Sequence, residues 1–188
     1  MIQKRIFSIL ILLSLATGCL EKQLDSDDLI KAIRENNLSE VVRLVERGVN
    51  INWVTSSGYN ALHVAVLYGH EEIAKFLISK GARINYGKYS HGLTPLHSAI
   101  ERDYSGIALM LIENGADVNR VRHKFGWTPM HQAARVPGME EVVKALFENG
   151  ADINPKDNEG KTPLDWAVEF KNNDMVNFLS KNGAKAGK

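Results

Sequence analysis

A second cysteine is missing from this 188-residue chain, so Cys19 has no partner for an intramolecular disulfide and buried apolar surface must hold the fold. No sign of charge dominates. The 23 lysines and arginines face 22 acids, a formal balance of +1 that excludes a binder driven by counterion release from nucleic-acid phosphates. Phosphate-binding loops are missing too: the nearest fragment, Gly160-Lys161-Thr162, has Pro155 where the first glycine must stand. There is no Gly-x-Ser-x-Gly elbow, and His70-Glu71-Glu72-Ile73-Ala74 starts like a zinc-protease helix but ends on alanine instead of the second histidine. Neither an enzyme nor a cofactor or metal is expected. Long hydrophobic runs are also lacking: Ile6 to Ala16, broken only by Ser8 and Ser14, makes about 16 Å of helix against a hydrocarbon core of about 30 Å. What the chain does have is 44% apolar and 24% charged residues, enough for an ordinary folded interior.

Lys4 and Arg5 precede that run and Thr17-Gly18-Cys19 follow it, the layout of a secretory signal. Leu15-Ala16-Thr17-Gly18-Cys19 resembles the bacterial lipobox, although Ala16 stands three before the cysteine where that family commonly has leucine. The resemblance implies diacylation of the Cys19 thiol, cleavage on its amino side and a further acyl chain, which together satisfy the need of a stable anchor for more than one chain. A buried structural thiol is the alternative. Residues 1–18 are then a cleaved signal, 19–24 a lipidated tether and 25–186 the folded part; loss of Lys4 and Arg5 leaves 21 cations against 22 acids. Leu20 to Leu24 reach about 17 Å. With Leu20 and not aspartate after the cysteine, resemblance to enterobacterial sorting implies an outer-membrane protein facing the periplasm.

The rest of the chain repeats itself. Gly58, Gly92, Gly126 and Gly160 fall at intervals of 34, as do His63, His97, His131 and then Asp165. A second series, Gly48, Gly81, Gly115, Gly150 and Gly183, runs at 33, 34, 35 and 33. Thr94-Pro95, Thr128-Pro129 and Thr162-Pro163 place a hydroxyl at an N-cap and a proline at the first helical position, and Asn60-Ala61 does so with another cap. A second helix opens on acids, as at Glu71-Glu72 and Glu140-Glu141, and stops at a glycine of the second series in the left-handed C′ position.

Gly92-Leu93-Thr94-Pro95-Leu96-His97, Gly126-Trp127-Thr128-Pro129-Met130-His131 and Gly160-Lys161-Thr162-Pro163-Leu164-Asp165 resemble the ankyrin repeat. The resemblance implies an all-α solenoid of helix-turn-helix units with β-hairpin fingers, about five repeats at 25–52 (an N-terminal cap), 53–85, 86–119, 120–154 and 155–186. Asp103-Tyr104-Ser105 departs from the usual Gly-His-x, and Arg135-Val136-Pro137-Gly138 carries one extra residue. Stacked units set the histidines about 8–10 Å apart, too far for one ion, and the resemblance implies that each bonds backbone near its turn.

In this family the fingers and the exposed ends of the first helices generally bind proteins, which points to Tyr59, Tyr68, Tyr89, His91, Arg102, Arg120, Arg122, Lys124, Phe125, Trp127 and Arg135 as partner-binding residues. Aromatics and arginine are the types enriched at hot spots. The competing reading is that Phe125 and Trp127 only pack on adjacent fingers. A protein partner with an acidic patch is expected, nucleic acid is not, and the array is expected to be a monomer. An immunity or inhibitor protein neutralising a periplasmic toxin stays open beside the plain interaction module, and an enzyme stands third.

Overall fold

The computed structural model describes residues 26–87 and 92–187. Cys19, the expected lipidation site, and Tyr89 and His91, expected to bind a partner, lie outside them. Helical residues 26–34 (α1) lead into α2 (Leu38–Glu46), α3 (Ala61–Leu67), α4 (Glu71–Ser79), α5 (Pro95–Glu101), α6 (Ser105–Glu113), α7 (Pro129–Ala134), α8 (Glu140–Glu148), α9 (Pro163–Glu169) and α10 (Asn173–Lys181). They pair in order as five helix-turn-helix units. The first helices stack on one another, α3 on α5, α5 on α7 and α7 on α9, and the second helices do the same along the other side.

Sequence explains both layers. The first helices carry Ala65, Ala99, Ala133 and Ala167 at intervals of 34, all fully enclosed, so that their backbones approach closely. The second helices press Ile73 and Leu77, Ile107 and Leu111, Val142 and Leu146, and Met175 and Leu179 into the seam. Burying each such side chain contributes about 1.5–3 kcal/mol. Every second helix from α2 onward ends on a glycine at φ of +84° to +88°, as the glycine spacing predicts. Between the helices of the third unit Asp103 takes φ +58°, the conformation that Gly69 supplies in the second.

The fingers return the chain without a β ladder among the described residues. Three of them are closed at the base by a backbone bond, Thr55 N–H to Tyr59 O (2.9 Å), Arg122 N–H to Trp127 O (2.7 Å) and Asp157 N–H to Lys161 O (2.9 Å), with turn bonds from Gly58, Gly126 and Gly160 N–H back to the same base residues. Strand character is confined, among the described residues, to an isolated bridge between Arg122 and Trp127 and to a bridge position at Leu93. So few residues lie between base and tip that a turn uses them up.

Adjacent units are stapled by asparagine. Asn52, Asn85, Asn119 and Asn154 each accept from a backbone N–H of the next unit, at Arg83, Asp117, Asp152 and Lys185 (2.7–2.8 Å). Each also donates to the next unit's C′ glycine carbonyl, at Gly81, Gly115, Gly150 and Gly183.

Candidate functional site

The Thr-Pro starts fix the fingers onto the helices. Thr128 accepts from His131 N–H, while Thr128 N–H donates to His131 Nδ1 at 3.2 Å, so histidine completes a capping box where glutamate is usual. Nδ1 must then be bare, leaving the ring proton on Nε2, which donates to Lys161 O of the next unit at 3.1 Å. The capping box recurs at Thr94 and His97, and Asp165 Oδ2 replaces the imidazole in the last unit, accepting Thr162 N–H at 2.8 Å. Burial, reinforced by the Arg122 charge, pushes the His97 pKa down to about 4. Burial lowers His131 too, against the pull of the Lys161 carbonyl and Asp157.

The fourth finger and the neighbouring helix ends build a cation–aromatic cluster. Phe125 stacks on Trp127 at 4.7 Å between centroids, and Trp127 meets Trp166 edge-on at 5.4 Å. Trp166 tilts against Phe170 at 6.0 Å. Arg122 and Lys124 sit over Phe125 at 5.2 and 5.0 Å, and Lys161 over Trp166 at 4.1 Å. The Arg135 guanidinium lies 4.3 Å from Trp127, 5.0 Å from Trp166 and 4.7 Å from Phe170. The extra residue of the fourth unit explains this: α7 stops at Ala134, a residue shorter than α5 and α9, and Arg135 becomes its C-cap.

One carboxylate underpins both indoles. Asp157 Oδ2 accepts Trp166 Nε1–H at 2.8 Å and Trp127 Nε1–H at 3.2 Å. Burial pushes the Asp157 carboxyl up, but the Trp166 indole, the backbone N–H groups of Glu159 and Lys161 and the Trp127 indole outweigh it and hold it below the usual carboxylate range. The fifth finger docks directly beneath the fourth, with Asn158 N–H bonded to Phe125 O at 3.1 Å. Gly126, at φ +74°, lies against Asn158 so closely that a Cβ would strike its backbone nitrogen. Beside the cluster opens a recess of about 250 Å³, lined by Glu101, Trp127, Gln132, Arg135, Val136 and Phe170.

Of the residues expected to bind, the structure brings together Arg122, Lys124, Phe125, Trp127 and Arg135. Arg102 and Arg120 are exposed nearby in sequence but make no ion pair among the described residues. Tyr59 and Tyr68 belong to a separate group in the second unit, Tyr59 tilted on His63 at 5.6 Å and Tyr68, half in solvent, stacked on His70 at 5.8 Å. Trp127 packs on Phe125 and bonds Asp157 while part of its ring stays in solvent, so the packing reading holds for it. Sequence reasoning missed Gln132, Asp157, Lys161 and Trp166. The readable signal is register: Ser98, Gln132 and Trp166 occupy the same place in successive copies.

Among the described residues no group of three or more histidine, cysteine, aspartate or glutamate side chains could hold a metal, and no helix is long and apolar enough to cross a membrane. The family model for ankyrin repeats, itself of three copies, matches residues 9–88, 29–122 and 120–188. Curated relatives agree over most of the chain. A protein of Danio rerio named for palmitoyltransferase activity is 31% identical over 157 residues, 84% of this chain and 24% of its own length. An ankyrin repeat protein of fowlpox virus is 30% identical over 172 residues, 88% of this chain and 50% of its own. A mitochondrial disaggregase of Bos taurus is 28% identical over 158 residues, 83% of this chain and 23% of its own. The chain thus spans at most half of these relatives, and what they share with it is the repeat array. With its helix pairs, capped Thr-Pro starts and matched residues, the chain belongs to the ankyrin-repeat family.

Proposed function

We propose that the chain is an exported, lipid-anchored interaction module that binds a protein partner through its fourth finger and the adjoining helix ends, without catalysing a reaction. The observation that carries this is the cation–aromatic cluster around Trp127: rings and guanidinium groups gathered at an open face are what protein hot spots are made of. Arg122 and Lys124 flank it and favour an acidic partner. The envelope location rests on the order of Lys4, Arg5, the apolar run and Cys19.

Capture from a solubilised membrane fraction, with Phe125→Ala and Lys124→Glu as paired controls, tests the binding. A partner retained by the parent and lost by both variants supports the reading; equal retention moves the site off this finger. Cys19→Ser tests the anchor. The variant should leave the membrane fraction and keep an unacylated N-terminus, whereas unchanged fractionation and unchanged N-terminal mass would remove the lipobox from the account.

A further inference from the structure

Arg135 differs from Arg122 and Lys161 beside it. Arg122 is paired with Glu101, and Lys161 with Glu169 and Glu159. Among the described residues no carboxylate forms an ion pair with the Arg135 guanidinium, which is faced by three rings, and its Nε–H finds no acceptor. Burial holds it below the usual guanidinium range even though Glu169 and Glu101 pull the other way. A planar cation held rigid and short of an anion gains most from a carboxylate, whose two oxygens match its fork.

The recess beside it supplies a second unsatisfied group. Gln132 is only 4% exposed, lines the recess, and its amide oxygen has no partner. An enclosed amide oxygen without a hydrogen bond is costly. The amide N–H₂ forms no hydrogen bond among the described residues either and, unlike the oxygen, is not sealed from solvent, so it is left to donate to an anion. Glu101 closes the rim and keeps one negative charge there, which repels a dianion more than a single carboxylate. Trp127, Phe170 and Val136 offer apolar wall to a methylene stem.

We propose that this recess is a subsite for one carboxylate on a short apolar stem, the side chain of a glutamate in the bound partner, with Arg135 and the Gln132 amide as its donors and Glu101 excluding doubly charged phosphate. The proposal rests on the reading of this face as a protein-binding surface and names the partner group it takes.

The probe is N-acetylglutamate N-methylamide, whose only charge is the side-chain carboxylate, titrated against the full chain while the arginine Nε–H resonances and indole fluorescence are followed. It should move the Arg135 resonance saturably and bind about tenfold more tightly than its neutral glutamine counterpart, the worth of one charge-assisted contact. Arg135→Gln should remove that preference. Because this variant also strips three rings of their cation, Glu101→Gln serves as the second: it should tighten glutamate binding and admit the blocked phosphoserine analogue, a gain that damage to the fold does not produce. Equal response to the glutamate and glutamine probes, no saturable response to the glutamate probe, or a Glu101→Gln chain that binds neither anion better would overturn the proposal. N-acetylalanine binding as tightly as the glutamate probe would assign the recess to a chain terminus instead. None of these measurements needs the partner, so their failure leaves the fourth-finger reading standing on its own test.

Discussion

Trp127 shows how one residue carries two duties. Its indole N–H is held by Asp157 and its faces by Phe125 and Arg135, so Trp127→Ala removes structure along with any anchor. We expect it to cost about 2 kcal/mol of stability, below the ~3–5 kcal/mol of a fully enclosed tryptophan because part of the ring stays in solvent; thermal unfolding checks this. Phe125→Ala and Lys124→Glu are therefore the cleaner binding variants. Lys124→Glu should slow association most at low salt, where screening is weakest. Histidine gives a second expectation at this scale. His97 has a folded pKa of about 4 against an ordinary 6.5, so the unfolded chain takes the proton first. Its stabilising effect is complete above pH 6.5 and is lost as the pH falls toward 4. Going from pH 7 to 5 should cost about 2 kcal/mol from His97 alone. Unfolding curves of the parent and His97→Gln over that range decide it: the variant should show a shallower acid limb, and identical limbs would mean that His97 is protonated in the native state.

At the scale of the element, the joint between units matters more than the helix. No second helix exceeds nine residues, too short to be stable alone in water, so packing and the inter-unit staples must hold it. Asn119 receives Asp152 N–H at 2.8 Å and gives to Gly150 O at 2.9 Å. Losing both bonds in Asn119→Ala should lower stability by about 1–2 kcal/mol. Asn114→Ala, whose side chain bonds only Met110 O of its own helix, should cost less; a chemical-denaturation comparison of the two separates stapling from local capping. Helix starts and stops were legible in the sequence because Thr-Pro and glycine act on their own few neighbours. The staples follow a readable spacing of 33, 34 and 35, yet nothing local reveals what the asparagines hold.

Over the whole molecule, each unit buries its helices only against its neighbours, so position along the array sets the reach of a defect. Leu96, 1% exposed on α5 between α3 and α7, touches the middle of the stack; Leu96→Ala should cost ~2–5 kcal/mol and move all probes of unfolding together. Leu179, equally enclosed but on the terminal α10, should act differently. Leu179→Ala is expected to loosen the last unit first, so that indole fluorescence, to which Trp166 contributes, changes before far-UV circular dichroism. Coincident transitions in both variants would mean that the array unfolds as a single block. The proposed binding face is subject to the same logic, since Trp127 and Arg135 come from the fourth unit while Trp166 and Phe170 come from the fifth.

The sequence by itself determined the repeat, its register, the ends of the helices and the enclosed apolar rows, because each follows from short-range rules of spacing, capping and left-handed glycine. It also pointed to the fourth finger, through its aromatic and basic residues. Only the tertiary structure decided which of those residues form one cluster. Arg135 reaches Trp166 and Phe170 beyond Trp127 of its own unit, and Asp157 reaches Trp127 beyond Trp166 of its own, because stacking brings residues about 30 positions apart into contact. The separation of Tyr59 and Tyr68 from that cluster has the same origin: in a solenoid, sequence distance becomes distance along the stack, and side chains two units away do not meet.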